Sequence, residues 1–234
     1  MVSDLKFWFL QNHQLFSILS RSEIKALFSI VNFRTARRGE IILFAHNEME
    51  RVYTIKKGII KILEFDQAGN EIIKDIVRAG DLFGQYTLEK HHEDREEHAI
   101  VVSDQLVICS FTVNDFEKIL ENNPKLAIKY TKLVGIKLKR VSNLYTNLMY
   151  KDVRTRLGLF LKDWVMKEAD GQLTNIVIKN YLTHQEIASL ICSTRQTVTL
   201  LLNELKQAGV LEHTRKELII PDLEKLIEHL PIVV

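Results

Sequence analysis

Apolar residues between Thr183 and Leu211 fall into two helical stripes separated by a turn. Ile187, Leu190 and Ile191 form the first stripe. It starts at Thr183, whose hydroxyl can cap a helix while Glu186 reaches back to the cap's own backbone N–H. Val198, Leu201, Leu202 and Leu205 form the second stripe, behind a cap at Ser193 or Thr194, and Gly209 stops it. The early outer face of this second helix carries Arg195, Gln196 and Thr199. Downstream, Val210-Leu211, a polar stretch from Glu212 to Glu217, and Leu218-Ile219-Ile220 spell a short hairpin. Helix, turn, helix and hairpin in that order read as a winged helix-turn-helix.

The first half has a different texture. Gly58, Gly69 and Gly80 fall at one constant interval and separate strand-like runs over Val52 to Ile55, Ile59 to Phe65 and Glu71 to Val77. Arg38-Gly39-Glu40 opens another strand through Ile41, Ile42 and Leu43, and Ala99 to Val102 and Leu106 to Phe111 add two more. Many short strands at regular spacing predict an antiparallel double-sheet barrel or jelly roll. Pro124 then starts a helix running to about Tyr150, along which Val134, Leu138, Val141, Tyr145 and Leu148 alternate steps of four and three. That is the seam of a coiled coil, and it predicts a parallel homodimer. Leu126, Tyr130 and Leu133, earlier on the same helix, suit packing on the β-roll. The fold class is therefore α+β: residues 1–123 hold N-terminal helices and an antiparallel β-roll, 124–150 the dimerisation helix, and 151–234 the winged helix-turn-helix.

Composition narrows the classes without choosing one. The chain has 234 residues, 46% hydrophobic and 26% charged, enough for two compact domains and inconsistent with general disorder. No apolar run approaches the roughly 18 residues a membrane span needs. Phe7 to Leu10 form an apolar cluster without a basic leader or a small-residue cleavage site, so the start reads as a packed helix and the protein as cytoplasmic. Cys109 and Cys192 are too far apart in sequence to suggest a disulfide framework.

The candidate chemistry lies in the second helix. Arg pairs bidentately with guanine and Gln with adenine, so Arg195 and Gln196 at a helix start suit the major groove of double-stranded DNA, with Thr199 as a third base reader. The hydroxyls of Thr183, Thr194 and Thr197 can hold phosphates. A net charge of +2 gives no nonspecific coating of nucleic acid, and cations concentrate upstream, from Lys125 to Lys162. Most of these read as a solvated helix face. Arg154 and Arg156 are better placed, because they follow Asp152, a cap where the long helix gives way to the next domain, and can share a phosphate with the helix-start N–H groups.

The segments Leu182-Thr183-His184-Gln185-Glu186-Ile187-Ala188, Thr194-Arg195-Gln196-Thr197-Val198-Thr199 and Leu202-Asn203-Glu204-Leu205-Lys206 resemble the DNA-binding domain of the Crp/Fnr family of bacterial transcription regulators. Tyr53-Thr54-Ile55-Lys56-Lys57-Gly58 and Ala79-Gly80-Asp81-Leu82-Phe83-Gly84 resemble that family's cyclic-nucleotide-binding-type β-roll. The resemblance implies a dimeric regulator with RNA polymerase as a partner, controlled at the β-roll. Two departures stand out: Cys192 replaces the usual turn glycine, and Leu200 replaces an arginine that contacts base or phosphate in many members.

In relatives that bind cyclic AMP, a glutamate after a glycine takes the ribose hydroxyl, and an arginine followed by a hydroxyl residue takes the phosphate. Here Gln85 follows Gly84, and the later pair is Glu97-His98. A glutamate aimed at a phosphate opposes binding, since like charges cost far more in a partly desolvated pocket than in water. Cyclic AMP is thus not the expected effector, although Arg95 can substitute if the loop shifts register. The alternatives are an empty pocket or another small molecule among Phe83, Tyr86 and Leu88.

No metal site is expected, because His91, His92 and His98 lack ligand spacing on an ordered scaffold. An iron–sulfur cluster held by four thiolates is excluded by two cysteines. Haem is not excluded, since some members use it and a single axial histidine leaves no signature. Two other classes stay open beside the regulator, which is not expected to be an enzyme: a cupin-like metal enzyme, and a regulator acting mainly through protein contacts.

Overall fold

The computed structural model describes residues 2–43, 51–65, 69, 71–84, 98–169 and 171–230. Contacts divide the chain into two units, 1–138 and 139–234. The boundary falls within the long helix rather than at its two ends.

The first unit begins with α1 (Val2–Asn12), a 3₁₀ turn (Phe16–Ile18) and α2 (Arg21–Ile30). Ser20 caps α2 in a capping box with Glu23, which explains why the helix starts there. Eight strands follow: β1 (Asn32–Arg37), β2 (Ile41–Leu43), β3 (Arg51–Lys57), β4 (Ile59–Phe65), β5 (Glu71–Arg78), β6 (Leu82–Gly84), β7 (His98–Val101) and β8 (Gln105–Thr112). They form two four-stranded antiparallel sheets, ordered β1-β8-β3-β6 and β2-β7-β4-β5. The double-sheet roll expected from the glycine spacing is thus present, with β1 and β6 as additions.

The pleat divides the apolar residues between two cores. Tyr53, Ile55, Leu106 and Ile108 pack inside the roll with Ile42, Ile60, Val77, Phe83 and Ala99. Their neighbours on the same strands, Val52, Cys109 and Phe111, pack with Leu10, Phe16, Ile24, Phe116 and Leu126 of the helical segments. A sheet covered on both faces has no solvent side, so β3 is buried without a break from Val52 to Ile55, Thr54 included, rather than in alternation. Cys109 is a buried free thiol whose pKa burial raises, as suits a core residue.

Thr112 caps α3 (Val113–Asn122). The next helix, α4 (Pro124–Tyr150), begins with Pro124 behind Asn123, whose side-chain oxygen accepts from the Leu126 N–H at 3.0 Å. Leu126 is buried, and Tyr130 and Leu133 pack on the same core, as their spacing predicted. Val134, Leu138, Val141, Tyr145 and Leu148 are instead 38–68% exposed in the single chain.

The second unit contains α5 (Val153–Glu168), β9 (Thr174–Lys179), α6 (His184–Leu190), α7 (Arg195–Gln207), β10 (Glu212–His213), β11 (Glu217–Asp222) and α8 (Leu223–His229). Its three strands pair antiparallel in the order β10-β11-β9. Among the described residues no helix is long and apolar enough to cross a membrane.

Candidate nucleic-acid interface

Local chemistry sets both helices of the helix-turn-helix. The Glu186 N–H donates to Thr183 Oγ1 at 3.2 Å, and the Thr183 N–H donates to the Glu186 carboxylate at 2.7 Å, closing a capping box at the start of α6. Between α6 and α7 the chain turns through Cys192 at φ 50°, in the left-handed region where a glycine is the easier residue. Thr194, rather than Ser193, caps α7: its hydroxyl accepts from the Thr197 N–H at 3.2 Å and lies 2.9 Å from the Thr197 hydroxyl. At the other end the Val210 N–H reaches the Leu205 carbonyl and the Gly209 N–H the Lys206 carbonyl, with Gly209 at φ 71°. This pattern is a Schellman cap.

Val198, Leu201, Leu202 and Leu205 are buried, which fixes the rotation of α7 about its axis. The opposite face leaves Arg195, Gln196, Leu200 and Asn203 exposed. With Thr194 and Thr199 these residues line one shallow concavity. Of the residues read as base and phosphate ligands, Thr194, Arg195, Gln196 and Thr199 therefore lie together, while Thr183, Thr197 and Arg154 are not part of this lining. Thr199, however, is half-buried and its hydroxyl is engaged: it donates to the Arg195 carbonyl at 2.8 Å and sits 2.8 Å from His184 Nδ1. Both contacts form at once when Nδ1 carries the proton. The His184 pKa is lowered, first by burial and then by the Arg195 charge, so the ring stays neutral at pH 7. His213, on the wing strand β10, meets it edge-on with ring centroids 5.1 Å apart, and is likewise lowered by burial, His184 and Lys206.

Arg154 departs from its expected role. Asp152 does cap α5, accepting from the Thr155 N–H, but the Arg154 guanidinium pairs with Glu204 on α7 rather than standing free for a phosphate. Its neighbour Arg156 donates to the carbonyls of Cys192 at 3.1 Å and Leu148 at 3.3 Å. Sequence reading also passed over the wing tip. There Thr214 Oγ1 accepts from the backbone of Lys216 and Glu217, and the turn leaves Arg215 and Lys216 exposed. Two adjacent cations between apolar strands were the available signal.

Of the candidate effector residues, Phe83, Gly84 and His98 are described; Gln85, Tyr86, Leu88, Arg95 and Glu97 lie outside the described residues, as do His91 and His92. Phe83 is buried and stacked on Tyr53 at 5.2 Å, so it belongs to the packed core of the roll rather than to an open wall. Gly84 has φ 117°, and a Cβ there would meet the Arg51 carbonyl oxygen at 2.4 Å, which accounts for glycine at this point. His98 is buried, stacked on Phe65 at 5.2 Å, with Nε2 3.4 Å from the Glu71 carboxylate.

Residues 155–229 match the Crp-like helix-turn-helix domain and residues 33–123 the cyclic nucleotide-binding domain. The chain is 30% identical over 189 residues to the global nitrogen regulator of Nostoc sp., covering 79% of this chain and 82% of that protein. It is 24% identical over 180 residues to the cAMP-activated global transcriptional regulator CRP of Pasteurella multocida, covering 76% and 85%. Among solved structures, a CooA mutant from Carboxydothermus hydrogenoformans matches with a TM-score of 0.71 and 26% identity, over 94% of this chain and 97% of that one. FixK2 from Bradyrhizobium japonicum shares the fold, with a TM-score of 0.71 and 18% identity over 88% and 99%.

Proposed function

The chain belongs to the Crp/Fnr family of DNA-binding transcription regulators, and we propose that it acts in the cytoplasm as a homodimer on an approximately palindromic operator, controlled at its β-roll by an effector or partner other than cyclic AMP. The observation that carries the reading is the exposed face of α7, where Arg195 and Gln196 share one concavity with Thr194, Thr199, Leu200 and Asn203. Arg195 and Gln196 supply bidentate donors to base edges, and helix-start groups at Thr183, Thr194 and Thr197 hold the backbone. It works by binding, not catalysis, with RNA polymerase as its partner at the promoter.

The exposed apolar seam of α4 supports the dimer. A parallel pair of these helices would carry two copies of α7 to half-sites about 34 Å apart on one face of the duplex. The effector reading rests on chemistry at the roll. In the sequence Gln85 follows Gly84, and Glu97-His98 stands where the resemblance puts the phosphate-binding arginine and hydroxyl, a difference that supports an effector other than cyclic AMP. An effector or protein partner that binds the roll more tightly in one arrangement of α4 shifts the population of DNA-competent dimers.

Selection from random duplexes by the purified protein at about 0.1 M salt, where weak phosphate attraction is screened, tests the reading. Enrichment of a palindrome with half-sites about one turn apart is expected. Binding that stays independent of sequence would overturn operator recognition and favour a regulator working through protein contacts.

A further inference from the structure

Leu200 lies on the recognition face of α7 and is 60% exposed. It is not needed for folding, because Val198, Leu201, Leu202 and Leu205 already seat the helix. A single exposed leucine is ordinary on a protein surface. This one lines the same concavity as Arg195, Gln196 and Asn203, so any duplex that meets those side chains meets Leu200 as well.

Its neighbour reinforces the apolar character. The Thr199 hydroxyl has one proton, which goes to the Arg195 carbonyl, and its oxygen is engaged by His184 Nδ1. Thr199 has no donor left for a base edge except at the expense of those bonds, so what it offers besides one acceptor lone pair is its methyl. Thr199 and Leu200 thus form an apolar step one helical turn beyond the polar pair Arg195 and Gln196. The major groove presents one apolar group of its own, the 5-methyl of thymine.

We infer that Leu200, supported by the Thr199 methyl, reads the 5-methyl group of a thymine and specifies T at one position in each half-site. The inference rests on the operator recognition proposed above. Four residues of helix rise about 6 Å, so the thymine lies within about two base-pair steps, at about 3.4 Å each, of the base read by Arg195 or Gln196.

The test starts from the selected operator and replaces each thymine in turn with 2′-deoxyuridine, which pairs identically but lacks the methyl. Affinities are measured for the wild type, Leu200→Ala and Thr199→Ser; the serine keeps the hydroxyl bonds and removes the methyl. At one position per half-site deoxyuridine should weaken the wild type about fourfold, the value of one buried methyl. Leu200→Ala should bind thymine and deoxyuridine there equally, and Thr199→Ser should fall between. An operator whose thymines are all replaceable without loss overturns the inference, as does Leu200→Ala retaining the wild-type preference. In either case operator recognition itself survives. A selection yielding no operator overturns both.

Discussion

His13 offers a direct test of how the N-terminal helical segment is fastened to the roll. It is 3% exposed, with its ring between Phe9 and Phe16. Nδ1 accepts from the Leu15 N–H at 3.2 Å, so Nε2 carries the proton and donates to Thr54 Oγ1 on β3 at 2.8 Å. A second proton would turn the Nδ1 acceptor into a donor facing another donor. Burial lowers the pKa from 6.5 to about 4, against a raising hydrogen bond with the Gly80 backbone and with a smaller lowering by the Lys129 charge. Because the folded value lies below the unfolded one, the unfolded chain takes up a proton that the native state refuses. Stability is therefore full above pH 6.5 and is lost as pH falls toward 4. At about 1.4 kcal/mol per pH unit the loss is about 2 kcal/mol by pH 5 and about 3 kcal/mol by pH 4. Urea unfolding at pH 7 and pH 5, at one protein concentration, should show His13→Gln losing about 2 kcal/mol less over that interval than the wild type. His184 and His213 are present in both proteins, so their contributions cancel in the difference. Equal losses in the two proteins, or a His13 resonance that titrates near 6.5 by NMR, would refute the reasoning.

Arg195→Ala should cost about 1–3 kcal/mol of operator affinity and relax the preference at one base, measured by fluorescence anisotropy on the selected site and its point variants. Leu138→Glu places a charge at a 68% exposed seam position; sedimentation should change from dimer to monomer while the circular dichroism stays native, and operator affinity should collapse with it. Gly84→Ala forces a Cβ to within 2.4 Å of the Arg51 carbonyl oxygen and 2.9 Å of the Tyr53 ring, at a φ of 117°. Calorimetry should show a melting temperature lower by several degrees, from a loss of about 1–3 kcal/mol.

Much of the architecture was legible because its signals are local. A cap and its partner lie three residues apart, so Thr183 with Glu186 could be read from spacing alone, and the cap of α7 was narrowed to Ser193 or Thr194, of which the structure uses Thr194. Pro124 and Tyr150 bounded α4 to the residue. The strands that were passed over lack a readable period. In β1 only Ala36 is buried, and β6 is three residues long. In β9, Ile176 and Ile178 are buried while Val177 between them is 57% exposed, so a true alternation appears as an unbroken apolar run. The turn between α6 and α7 was legible in a different way: Cys192 at the expected glycine position does adopt a positive φ.

The site residues whose roles changed are those tied by contacts distant in sequence. Arg154 meets Glu204 fifty residues away, and Thr199 meets His184 across the turn, pairings that no spacing rule contains. Magnitude separates the two arginines in the first turn of α5. The Arg154–Glu204 pair is 40% exposed on both sides, and such pairs contribute about 0–1 kcal/mol, so Arg154 can exchange Glu204 for a phosphate at small cost. Arg156 is differently bound: its terminal nitrogens are held by two backbone carbonyls, one of them at Cys192 in the turn, and its Nε is buried without a partner among the described residues. Releasing it would expose the Cys192 carbonyl and loosen the turn that sets α7. On the proposed DNA-binding reading, Arg156 holds the turn ahead of α7, and direct attraction to phosphate falls to the cations that are not so committed, Arg215 and Lys216 at the wing tip, with Arg154 joining them when DNA competes with Glu204.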